Sequence, residues 1–164
     1  MNPVVSLLGD AKLIARLEAM PASVAASLLR KVSMLVLKLQ NYIQTNKLSG
    51  QVLNRKSGRL MRSIGTKVEQ TATAVLGIVF QSSDVPYGRI HEYGGKTAAH
   101  VIVPKKASVL AFNWKGENVF FKRVNHPGST FPERSYMRSG LRDMSVEISL
   151  GLKTAVVEGI RSAK

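Results

Sequence analysis

The 164-residue sequence predicts an α+β fold, with a long N-terminal helix and a C-terminal helix packed on a mainly antiparallel sheet of about four to five strands. Three observations lead there. Apolar residues recur at steps of three and four before position 50 and again after position 135. Between them lie short runs rich in β-branched and aromatic residues, separated by turn-forming residues. The order helix, strands, helix within 164 residues fits one domain, 1–164, with a helical N-terminal segment at 1–50, sheet and loops at 51–134, and a final helix at 135–164.

In the N-terminal segment, Pro21 suits the first turn of a helix, where its missing N–H costs nothing. Leu28, Val32, Leu35, Leu39 and Tyr42/Ile43 then make one apolar face, with Arg30, Lys31, Lys38 and Asn41 largely off it. "TNKLSG" supplies a basic last turn and a glycine stop near Gly50. Such a helix exceeds about 25 residues, or roughly 38 Å.

"SIGTKVEQ" and "TATAVLGIVF" flank a polar turn near Gln70–Thr71 and read as a hairpin. "HVIVP" follows as a strand, and "SVLAFNW" and "NVFFKRV" are joined by the turn "WKGEN". From Ser135 onward Met137, Leu141, Met144, Ile148, Leu152 and Ala155 form a helical stripe. Gly140, Gly151 and Gly159 weaken that helix by about 1 kcal/mol each relative to Ala, and they also permit close approach of a neighbour. Glu133 or Ser135 is placed to cap it.

The net charge is +14, and from Ala19 to Val68 there is no Asp or Glu. Arg30, Lys31, Lys38, Lys47, Arg55, Lys56, Arg59, Arg62 and Lys67 all fall in that stretch. Such a field attracts a polyanion or an acidic surface, or serves as a solvated basic face. Within it, Arg55, Lys56, Arg59 and Arg62 are the candidate DNA-facing residues, and any contact they make is to phosphates rather than base edges. The opening "MNPVVSLLGDAKLIARLEAM" has no basic leader and only a short apolar run, so no targeting segment is expected; the longest apolar stretch, "VSMLVLKLQ", is interrupted by Lys38 and far short of the roughly 20 residues a membrane span needs.

Chemistry finds little purchase. The chain has no cysteine, which removes disulfides, thiolate nucleophiles and Cys-based zinc sites. "HEYGG" has Gly95 where a zinc helix needs its second histidine. "GKT" at 95–97 has Ile90 where a phosphate loop needs glycine, and a strand follows rather than a helix. No serine can be tied to a His–Asp pair, and paired carboxylates are scarce among ten acids. The expectation is a protein that is not an enzyme and takes no cofactor or metal.

Three stretches carry a resemblance. "KSGRLMRSI" (Lys56–Ile64) is similar to a "TGRLRxSI" signature, "VPYGRIHEYGGK" (Val85–Lys96) to a "YAxxxEFG" motif, and "HPGSTFPERSYMRSGLRDM" (His126–Met144) to a "PARPFLRPAL" ending. In that order and spacing they resemble the bacteriophage tail-completion, or virion-morphogenesis, proteins that join head to tail. Ser57, Gly88 and Ser135-Tyr136-Met137 depart from the family pattern while keeping size or aromatic character.

The resemblance implies a structural virion protein of the neck or tail, made in the host cytoplasm. It implies a ring, six-fold in stoichiometry, with DNA passing through the lumen. The implied partners are other copies of the chain, a head-closure or connector protein, and a tail terminator or tail tube protein, with no membrane. Candidate contacts with neighbouring subunits or partners are Tyr87, Glu92, Tyr93, Gly94, Gly95, Pro132, Arg134 and Tyr136. Tyr87, Ile90 and Tyr93 are expected on a short helical turn packed on the sheet, ended by Gly94 and Gly95. Glu92 is expected to bond an arginine or backbone amides. A tail-terminator ring, or a non-specific nucleic-acid-binding protein using residues 30–67, are the alternatives.

Overall fold

Each end of the chain contributes one long helix to a common core. A computed structural model describes residues 10–71 and 73–163, and only the backbone of 10–17, 19 and 20. Of the twenty residues on which the expectation about a targeting segment rests, the first nine lie outside the described ones. The chain divides into two units, Met1–Val85 with Tyr136–Lys164, and Pro86–Ser135. Among the described residues no helix is long and apolar enough to cross a membrane. The fold class is α+β.

In the first unit, α1 runs Asp10–Tyr42 and continues as a π-helical segment, Ile43–Gln51. The helix does not begin at Pro21, as the sequence suggests, but passes through it. An internal proline costs a helix about 3 kcal/mol. Packing of α4 (Met137–Ser162) against Ser23 and Val24, just past the proline, holds that turn helical. The stop near Gly50 is where the sequence places it: Gly50 has φ 136°, and the amides of Val52 and Leu53 both close on the Lys47 carbonyl.

The two long helices lie antiparallel, and small residues line their seam. A Cβ on Gly140 would sit 2.7 Å from the Ile43 side chain, and one on Gly159 would sit 2.5 Å from the Val24 Cα. Gly151 faces Leu35, and Ala155 is fully buried. The glycines cost helix propensity and return close packing. Of the α4 stripe, Met144 and Ala155 are buried and Met137 and Ile148 half-buried, but Leu141 is exposed.

The basic last turn expected at Lys47 serves a different end. Its ammonium is buried and pairs with Asp143 Oδ2 at 2.6 Å, while Tyr42 donates to the same oxygen at 3.0 Å. Lys47 also sits 5.7 Å from the Tyr42 ring centroid. The hydrogen bond from Lys47, and then that from Tyr42, hold the Asp143 carboxyl below its ordinary range.

Strands β1 (Ile64–Gln70) and β2 (Val75–Gln81) form the expected hairpin and lie on α1. Gly77 presses directly on Val32 and Val36. Leu39, Ile43, Leu48, Ile64, Tyr136 and Met144 close the core. Tyr136 is the N-cap residue of α4 without a side-chain capping bond; its hydroxyl donates instead to Gln81 Oε1 at 3.1 Å. Ser135 likewise spends its hydroxyl elsewhere, on Glu92.

The second unit holds α3 (Tyr87–Tyr93) and six short strands: β3 (Gly95–Lys96), β4 (His100–Ile102), β5 (Leu110–Trp114), β6 (Glu117–Phe121), β7 (Val124–His126) and β8 (Thr130–Phe131). They pair as β3 with β8, β4 with β7 and β5 with β6, so the three ladders nest into one interrupted antiparallel ribbon. The strands thus form four two-stranded ladders rather than a single sheet of four or five. Pro104 and Pro127, which have no amide to donate, fall where the ladders break. Lys115 (φ 53°) and Gly116 (φ 94°) make the two-residue turn at the ribbon tip.

Two outcomes follow. Gly159→Val should lower unfolding free energy by about 1–3 kcal/mol, the cost of overpacking, in a denaturant titration. Because the Asp143 carboxyl is held low, its stabilising contribution is full above its ordinary value of 3.8 and is lost as pH falls through the folded value. Asp143→Asn should therefore lower the melting temperature at neutral pH and flatten its decline below pH 3.8.

Candidate functional site

The basic motif is built on one glutamine of α1 and one of the π-helical segment that continues it. Gln40 donates to the Ile64 carbonyl at 2.6 Å and Gln44 to the Met61 carbonyl at 3.0 Å. These bonds clasp the single turn α2 (Arg59–Arg62) while Leu60 and Met61 pack on the core. Gly58 precedes it with φ 70°, a left-handed conformation suited to glycine.

Gly58 is buried although Arg55, Arg59 and Arg62 around it are exposed. A Cβ there would lie 3.0 Å from Arg62 Nη1 and 3.2 Å from Arg55 Nε, so the two nitrogens are within about 6 Å of each other. Like charges at that distance repel by about 0.7 kcal/mol even at the dielectric of water. Arg62 Nη1 donates to the Ser57 carbonyl at 3.3 Å and Arg59 to the Asp84 carbonyl at 2.8 Å. The ion pairs Lys38–Glu147, Lys47–Asp143 and Lys67–Glu69 involve none of these arginines. Arg59 and Arg62 line a cleft of about 350 Å³ with Ser63, Gly65, Phe80 and Asp84. Lys56 is exposed and lines neither feature.

The second unit presents a different surface. The paired positions Leu110↔Phe121 and Phe112↔Val119, with Trp114 beyond them, put one row of apolar side chains on a single face of the β5–β6 hairpin. With Ile102 and Val124 they line a groove of about 660 Å³, into which Arg123 and Asn125 also open. Trp114 is 61% exposed and Phe121 47%. On the other hairpin face Phe120 is 64% exposed.

The expected contact residues separate. Tyr93, Gly94 and Gly95 share a shallow cleft of about 420 Å³ with Ile90 and Lys96. Gly94 caps α3 with φ 69°, and Gly95 has φ 147°. Tyr87 and Tyr93 are exposed rather than packed on a sheet. Pro132 and Arg134 are also exposed, and the Arg134 amide donates to the His91 carbonyl at 2.8 Å. Glu92 is buried and accepts a 2.8 Å bond from the Ser135 hydroxyl. Tyr136 belongs to the helical core, so a contact role for it is set aside.

His91 packs edge-on against Tyr87 and Phe131, and burial, then the Arg134 charge, lower its pKa. His100 and His126 stack at 5.0 Å as register partners. Among the described residues no three His, Asp or Glu side chains gather into a group able to hold a metal.

Sequence reasoning did not single out the groove or the buried Lys47. The groove had a signal, the period-two alternation at 110, 112 and 114 and at 119 and 121. Lys47 had none, because its partner lies far along the chain. Comparison with family models, with curated proteins and with solved structures finds no match to this chain.

The chain has one tryptophan, Trp114, so its emission reports on the groove. In dilute protein the emission maximum should be red-shifted and strongly quenched by iodide. A blue-shifted band immune to iodide would contradict an open apolar face.

Proposed function

We propose that this chain is a structural, non-enzymatic subunit of a bacteriophage neck, completing the tail and joining it to the head within a ring that DNA traverses. The observation that carries the reading is the row Leu110, Phe112, Trp114, Val119 and Phe121, an aromatic-rich face left in solvent. Contiguous apolar surface of this kind marks a site of association.

A ring needs two different patches per copy, because a heterologous contact joins one surface to another. On α4, Val146, Leu150, Val157 and Ile160 form a second exposed apolar stripe on the side away from Gly140 and Met144. The three motif stretches support the same reading. "KSGRLMRSI" folds as the α2 turn into β1, "YGRIHEY" is α3 ended by Gly94, and "SYMRSGLRDM" opens α4. Each serves as a junction of the backbone. The partners in this reading are further copies, a connector and the tail tube or its terminator. A tail-terminator subunit differs from it only in which of these it meets first.

The test is the mass of the full-length protein by sedimentation over a concentration series, with imaging, alone and with tail-less heads and free tails. Closed rings, or rings formed only on those particles, are expected. Trp114→Ser with Phe121→Ser should weaken assembly by about 2 kcal/mol, roughly thirtyfold, per anchor lost. A chain that stays monomeric at every concentration and joins neither particle would refute the reading.

A further inference from the structure

We propose that Arg55 and Arg62 form a clamp for a single phosphate group, seated over Gly58 with Arg59 at its edge. Two guanidiniums within about 6 Å of each other, with no ion-pair partner among the described residues, form an arrangement that an anion stabilises. Phosphate suits it, because each guanidinium can offer paired N–H donors to the oxygens of one tetrahedral anion.

Gly58 makes the seat. The space where its side chain would stand borders both arginine side chains, and its φ of 70° turns the chain sharply there. The clasp from Gln44 and the bond from Arg62 to the Ser57 carbonyl fix the α2 turn, which reduces the ordering left to be done on binding. Asp84 is the one carboxylate lining the adjoining cleft, and its charge opposes an anion there, which favours the Arg55 side of Arg62 as the seat. The long acid-free stretch from Ala19 to Val68 supplies the wider attraction.

The inference rests on the neck reading only in taking DNA as the source of the phosphate. Two probes separate the sources: a labelled duplex titrated at several salt concentrations, and inorganic phosphate in a melting experiment at matched ionic strength. Wild type, Arg55→Gln with Arg62→Gln, and Lys153→Gln as a charge change on α4 are compared. The double variant should lose duplex affinity by about tenfold or more. Its salt slope should fall by about 1, the value for one phosphate contact. The control should stay within about twofold for the duplex and equal wild type with phosphate.

Stabilisation by inorganic phosphate, lost in the double variant, without duplex binding assigns the clamp to free phosphate. Equal behaviour of the double variant and the control on both probes overturns the proposal, as does protection that chloride reproduces. Assembly is measured in the same samples by mass. Rings that form without a clamp sink this inference and spare the neck reading, and a clamp in a chain that never assembles does the reverse.

Discussion

Close approach of α1 and α4 is the constraint on which the first unit depends. Gly140, Gly151, Ala155 and Gly159 let the helices meet almost backbone to backbone, and that contact spans the seam from Val24 to Ile43. With this seam set, Lys47 reaches Asp143, Tyr136 falls into the core, and Gln40 and Gln44 are aimed at the α2 turn. The α2 turn that carries Arg62 is thus positioned by packing elsewhere, and Arg62 adds its own bond to the Ser57 carbonyl. Glycine in these helices trades helix propensity for interhelical contact, a trade that only tertiary structure can reward.

The second unit follows different physics. A two-stranded ribbon has two faces and no second layer, so it is marginal on its own and leaves whatever apolar residues it carries in water. Here these residues are aromatic and sit in register on one hairpin face. Their solvent exposure is costly for an isolated subunit and is relieved when a neighbour covers them. In the proposed neck reading, a helical unit with its own core joined to a ribbon with an open apolar face suits a subunit that assembles with neighbours.

Much of this was legible locally. Helical stripes, the Gly50 stop, the hairpin around Thr71, the Lys115–Gly116 turn and the Gly94 ending of α3 all follow from periodicity and turn chemistry over a few residues. What was not legible depends on partners distant in sequence. Pro21 stays helical because α4 packs beside it, and Lys47 is buried because Asp143 receives it. Glycines, which carry no hydrophobic signal, hold much of the buried face, while Leu141 of the apolar stripe is exposed. Tyr136 looks like a motif aromatic meant for a partner, yet the core needs it. The approach of Arg55 to Arg62 depends on a left-handed Gly58, a conformation the sequence permits without requiring.

The central claim is that the helical unit is complete in one chain while the β5–β6 face is completed by association. Hydrogen exchange on the free and the assembled protein tests it most directly. Amides of α1 and α4 should be protected equally in both states, and those of Leu110–Trp114 and Glu117–Phe121 should gain protection only on assembly. Full protection of that hairpin in the free chain, or no change when rings form, would contradict the account.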